Sequence, residues 1–175
     1  MGDSKQVIQE ITATVNKTIE EIEQKARQRG YEAANVLTNE VKKVLSGQRS
    51  GRTYRVNKTG GKPKKSTGKS KKRKRKSKRG GIVYTASAPG EPPALRFGTL
   101  QKSFKRRTYG DKIGSNLVVH AITESDLQVN GYLLGDLLEN GTKRIAPRPF
   151  IQKTIDAALP KVTEIFQKQY RTSKG

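Results

Sequence analysis

Apolar residues recur at three- and four-residue steps through Ile8, Ile11, Val15, Ile19, Ile22 and Ala26, and the pattern resumes after Gly30 with Ala33 or Ala34, Leu37, Val41 and Val44. That spacing lines one face of a helix. Asp3 or Ser4 can cap its start, and Ser46-Gly47 supplies its stop. A helix of about forty residues spans on the order of 60 Å, at about 1.5 Å per residue. The body that a chain of 175 residues can build is too small to cover such a rod. Two solutions follow: either Gly30 bends the helix, or part of the stripe packs on another chain. A long two-stranded coiled coil competes with these, but the mid-helix glycine and the lack of sustained heptads disfavour it. The expected self-association surface is Ile11, Val15 and Ile19.

Charge constrains the fold next. The chain has 37 Lys or Arg against 15 Asp or Glu, a formal net charge of +22. Eighteen of the 37 lie in residues 41–90, where there is no acid, so the other 19 face all 15 acids. A nearly neutral body therefore carries one intensely basic segment. Its centre is twelve cations: Lys62, Lys64, Lys65, Lys69, Lys71, Lys72, Arg73, Lys74, Arg75, Lys76, Lys78 and Arg79. With no large apolar residue among them, this run cannot bury a face and is expected to be disordered when free. Arg52–Val56 and Ile82–Ala86 alternate as strands do and can pair antiparallel, which makes residues 57–81 a hairpin loop. Twelve cations in eighteen residues exceed an ordinary solvated face. The reading is sequence-independent contact with nucleic-acid phosphates. No aromatic residue lies between Lys58 and Gly81, so backbone electrostatics and not base stacking must carry it. A solvated insertion and a nuclear localisation signal (KKRKRK) are the competing readings.

The remaining elements are small. Ala86–Ala94 holds three prolines and is expected to be stiff and extended. Thr99–Phe104 reads as a helical turn leading to a strand near Ser103–Tyr109, with Gly110-Asp111 as a hairpin turn. Asn116–Ile122 is the next strand, and Leu127–Val129 a further short run. Leu133, Leu134, Leu137 and Leu138 then line a brief helix, which Asn140-Gly141 stops by tolerating a left-handed conformation. Pro147 and Pro149 hold Ala146 and Arg148 extended, and Pro149 can begin the final helix, with Phe150 and Ile151 packing back under the corner. Ile151, Ile155, Ala158, Val162, Ile165 and Phe166 keep helical phase through Pro160, which should kink or restart that helix. The expected fold class is α+β: a long N-terminal helix, a small antiparallel sheet with a long basic hairpin loop, a short helix and a C-terminal amphipathic helix. Residues 1–175 read as one domain, with 57–81 inserted in it.

Three separated stretches carry a family resemblance. They are Ser50–Arg55, Ala86–Ala94 with Gly98-Thr99-Leu100 and Ser103 after it, and the corner residues Tyr132, Glu139, Gly141, Thr142, Arg148, Pro149 and Phe150. In this order they resemble the neck and tail-completion proteins of long-tailed phages, the head–tail connectors of the minor tail protein Z type. The match spans more than half the chain. Asn140 stands where the family usually has an aromatic residue, and the basic loop is longer and more charged than the resemblance requires. The resemblance implies a ring subunit in the virion neck or at the head-proximal end of the tail, assembled in the host cytoplasm. Its implied partners are further copies of itself, neighbouring neck, connector or tail-tube proteins, and the genome passing through the channel. The alternative from another class is a basic nucleic-acid-binding protein of ribosomal or chromosomal type.

Signals for chemistry are weak. The absence of cysteine excludes disulfides and thiolate metal sites. His120 stands alone on a strand, where one imidazole is more often structural than a ligand or base. Asp136 and Glu139 face similarly, but with Lys143, Arg144 and Arg148 nearby a salt-bridged corner is the expectation. Gly60-Gly61 and Gly80-Gly81 match no phosphate-binding fingerprint. No nucleophile–base pair stands out, so neither catalysis nor a cofactor is expected. No apolar run approaches a membrane span, and the first residues lack a basic-then-apolar leader, so export is not expected.

Overall fold

In the computed structural model the structure describes residues 3–56, 82–114 and 116–170. The order is α1 (Asp3–Ser46), β1 (Thr53–Val56), β2 (Ile82–Thr85), α2 (Thr99–Ser103), β3 (Lys105–Ile113) and β4 (Asn116–Glu124), then β5 (Gln128–Val129), β6 (Tyr132–Leu133), α3 (Leu134–Asn140) and α4 (Ile151–Gln167). The fold is α+β, with a long first helix, small antiparallel sheets, a short helix and a C-terminal helix. In place of one sheet there are three separate two-stranded ladders, β1–β2, β3–β4 and β5–β6.

Helix α1 is one unbroken rod of 44 residues. Gly30 does not interrupt it; the glycine is buried, and a Cβ built there would lie 2.3 Å from Val119 Cγ1 on β4. Hydrogen in place of a side chain lets the β3–β4 ladder lie directly on the helix. On the C-terminal half of α1, Ala33, Ala34, Val41 and Leu45 are buried. Val41 and Leu45 form the core with Phe150, flanked by Val44, Leu100, Phe104 and Leu138. Phe104 meets Phe150 edge to face, with ring centroids 6.1 Å apart. Thr38 crosses to the ladder, its hydroxyl 3.1 Å from that of Thr123.

Helix α4 runs back along α1. Lys161 Nζ reaches Glu40 Oε1 at 2.6 Å, and at the far end Arg29 Nη2 donates to the Gln169 carbonyl at 2.8 Å. Thr154, Ala158 and Ile165 form its buried side, and it stays helical through Pro160. The β3–β4 ladder extends level with Glu23, which pairs with Lys112 at 2.7 Å. N-terminal to this point the apolar stripe faces solvent: Ile8 is 64% exposed, Ile11 58%, Val15 50% and Ile19 48%.

Two local expectations change. Strand β3 continues through Gly110 and Asp111 to Ile113, and the reversal comes at Gly114, whose φ is +62°. Gly110 is an ordinary position within this strand, with the movable Arg27 guanidinium 2.9 Å from where a Cβ would lie. Helix α4 begins at Ile151 and not Pro149, and of the two residues expected under the corner Phe150 is buried while Ile151 is 43% exposed.

Candidate functional site

The corner is built from hydrogen bonds that a helix end leaves available. Gly141 ends α3 with φ 74° and ψ −174°, turning the chain. The Thr142 amide donates to the Ile145 carbonyl at 2.8 Å, and the Ile145 amide returns a bond at 3.3 Å. Thr142 Oγ1 accepts from the amides of Arg144 and Ile145 at 3.2 and 3.1 Å, closing the turn. After Pro147, the Arg148 amide donates to the Leu138 carbonyl at 2.8 Å, taking up a free acceptor of α3. Glu139 Oε2 accepts from the amides of Phe150 and Ile151 at 2.8 and 3.1 Å. This carboxylate therefore caps α4, where a negative charge also opposes the helix dipole. The expected salt-bridged corner is corrected: among the described residues neither Asp136 nor Glu139 forms an ion pair with Lys143, Arg144 or Arg148. Proline-set backbone brings two orphan amides within reach of Glu139, and they satisfy it first.

Arg148 points elsewhere. Its Nη1 donates to the carbonyl and hydroxyl of Ser87, and lies 3.5 Å from the Ala88 carbonyl. The Gly90 amide donates to the Pro147 carbonyl at 3.1 Å, and Lys153 Nζ to the Gly90 carbonyl at 3.3 Å. From the other side, Glu91 Oε2 accepts from the amides of Ala88 and Ser50 at 2.9 and 3.1 Å, and Oε1 from the Ser50 hydroxyl at 2.6 Å. Arg49 Nη2 donates to the Val44 and Leu45 carbonyls at the end of α1 and to the Pro93 carbonyl at 3.0 Å. The proline-rich segment is thus latched between the end of α1 and the start of α4. Glu139, Gly141, Thr142, Arg148, Pro149 and Phe150 all belong to this one corner. Arg49, Ser87 and Glu91 complete it, and spacing does not reveal their roles, because the bonds that close the latch, Arg49 to Pro93, Ser50 to Glu91 and Arg148 to Ser87, join residues 41 to 61 positions apart.

The Ser50 hydroxyl, then the amides of Ala88 and Ser50, pull the Glu91 carboxyl from 4.5 down to about 2. A carboxylate with a depressed folded-state pKa contributes stability that is complete above its unfolded value and is lost as pH falls through the folded one. Glu91→Gln should therefore lower the melting temperature at pH 7, with the gap to wild type closing between pH 4.5 and 2. A gap unchanged over that window would show that the charge of Glu91 does not hold the latch.

Beside the corner lies a groove of about 560 Å³, with Tyr84, Leu95, Phe97, Leu134, Leu138 and Ile145 among its lining residues. The β1–β2 ladder rises from its rim, in the register Thr53↔Thr85 to Val56↔Ile82. Tyr54 stacks on Tyr84 with centroids 5.7 Å apart, and Arg96 lies 5.6 Å from the Tyr84 ring. The twelve cations from Lys62 to Arg79 lie outside the described residues, and the paired strands bracket them in the chain. Ile11, Val15 and Ile19 sit on the projecting half of α1, away from the corner. His120 stacks on Tyr109 at 4.5 Å, with Nε2 3.5 Å from Asp111 Oδ2. Among the described residues no three or more His, Asp or Glu are grouped to hold a metal, and no helix is long and apolar enough to cross a membrane. The polar groups of the corner are directed at the chain's own backbone, so the arrangement sets shape and leaves apolar surfaces free to be covered.

No family model, curated protein or solved structure matches this chain.

Proposed function

We propose that this protein is a structural subunit of a phage neck or tail-completion ring joining the DNA-filled head to the tail. The observation that carries the reading is the convergence of its separated motif stretches. Ser50, Ser87–Glu91 and Glu139–Phe150 are hydrogen-bonded into one corner, which sets α1, α4 and the β1–β2 ladder relative to each other. A ring subunit needs such a fixed shape, together with apolar faces for its neighbours. On this reading its partners are other copies of itself, adjoining neck, connector or tail-tube proteins, and double-stranded DNA. Its place is the virion, and it performs no catalysis.

The DNA contact is assigned to the basic run from Lys62 to Arg79, which holds twelve of the 37 cations and no acid. With about six phosphates met, log K should fall against log salt with a slope near −5, from about −0.9 per contact. A Gly-Ser segment of equal length in place of 57–81 should abolish duplex binding and leave the melting temperature unchanged. Shuffling the order of Lys and Arg should leave affinity unchanged, because phosphates read charge. Binding retained by the Gly-Ser version would overturn the DNA assignment. The neck assignment is tested by electron microscopy of particles assembled without the protein. Filled heads separated from tails are expected, and normally joined particles would refute it.

A further inference from the structure

Helix α4 is apolar over more of its circumference than α1 covers. Besides its buried side it carries Ile151 at 43% exposure, Ile155 at 42%, Leu159 at 59% and Phe166 at 42%. These recur at four- and seven-residue steps and form a second stripe, beside the one that packs on α1. The projecting half of α1 presents its own exposed stripe, from Val7 to Ile22. The two are matched in length: about 25 Å for the 17 residues of α4, and about 30 Å for residues 3–22 of α1. They cannot meet within one molecule. Helix α1 is unbroken, and α4 ends level with Arg29, so the projecting half leads away from its own α4.

Charge favours one occupant through the body around α4 and not through α4 itself, where Lys153 and Lys161 balance Asp156 and Glu164. Residues 3–24 hold five acids against two bases, whereas the rest of the chain outside 41–90 holds 17 bases against ten acids. Two projecting halves would repel each other, and each is attracted to the body of another molecule. We infer that the outer stripe of α4 is a docking surface for the projecting half of α1 from a second copy of this chain. Different patches meet in this contact, so each subunit offers one donor and one acceptor; the contact is closed in a ring or a reciprocal dimer and open in a filament, according to the rotation between subunits. The inference needs no DNA and no neck. It would hold for any assembly of this chain.

The absence of cysteine makes the test direct, since each single variant carries one thiol. Val15 and Leu159 lie centrally in the two stripes and are 50% and 59% exposed, so full-length Val15→Cys and Leu159→Cys should both fold. Mixed in equal amounts and treated with a short bis-maleimide, they are expected to yield mainly the mixed adduct. Ile113→Cys, 65% exposed at the tip of β3–β4, supplies the background level with Val15→Cys. Predominant Val15→Cys self-adduct would mean that projecting halves pair with each other, and a mixed yield at background would mean that α4 is not the acceptor. Either result overturns the inference. Light scattering gives a second reading: Leu159→Asp should reduce the assembly to monomer with its melting temperature kept. An assembly that survives this change also overturns it. Failure here leaves the particle test of the neck reading untouched, and the reverse is equally true.

Discussion

A Gly141→Val variant is expected to lose on the order of 4 kcal/mol, lowering the melting temperature by roughly 10 °C or more. Two costs coincide at this residue. Its φ of 74° with ψ of −174° lies in a region occupied almost solely by glycine. A Cβ there would also meet the Ile145 carbonyl oxygen at 2.7 Å, Pro147 N at 2.8 Å and Pro147 Cδ at 2.9 Å. These atoms are backbone and proline ring, so none can swing aside. Gly90 separates the two costs, because its φ is +78° but no atom lies within 4 Å of a built Cβ. Gly90→Val should show strain alone, about 1–3 kcal/mol. Equal shifts in thermal melts of the two variants would show that the 141–147 turn is not tightly closed.

Phe150→Ala should cost about 3–5 kcal/mol, the range for removing a buried aromatic ring and leaving a cavity. Phe150 is 2% exposed and joins Val41 and Leu45 in the core, and its amide is one of the two bound by Glu139. Ile151, next in the chain, is 43% exposed, and Ile151→Ala should stay within about 1 kcal/mol. Urea denaturation of both variants provides the check. Similar losses would mean that the core does not centre on this ring.

Patterns set by neighbours in the chain were readable. The period of α1, the pairing of Arg52–Val56 with Ile82–Ala86 and the glycine stop after α3 all follow from spacing or from one residue's backbone freedom. Gly30 and Gly110 were misread for the opposite reason. Each looks like local punctuation, yet Gly30 serves close approach to Val119 and Gly110 lies inside a continuous strand. Asn130-Gly131 is a hairpin signal in the sequence, and φ values of 53° and 82° make it the turn between β5 and β6. Glu139 was placed correctly and given the wrong partners, because charge in the sequence does not show which amides a proline-set chain will present. The latch at Ser87 and Glu91 was visible as part of a resemblance only, with its chemistry set by residues about 40 and 60 positions distant.

The β1–β2 ladder has a consequence for how such a protein can change over generations. Its last pair, Val56↔Ile82, holds the two ends of the intervening 25 residues side by side. Doubling the length of a loop adds only about 0.6 kcal/mol to the cost of closing it. The content of that connection can therefore lengthen, shorten or exchange its charges while the latched corner and the core beneath it stay as they are. On the proposed function, affinity for a polyanion and integrity of the fold become separately heritable traits. The same stem is a natural acceptor for a foreign peptide or a whole inserted domain.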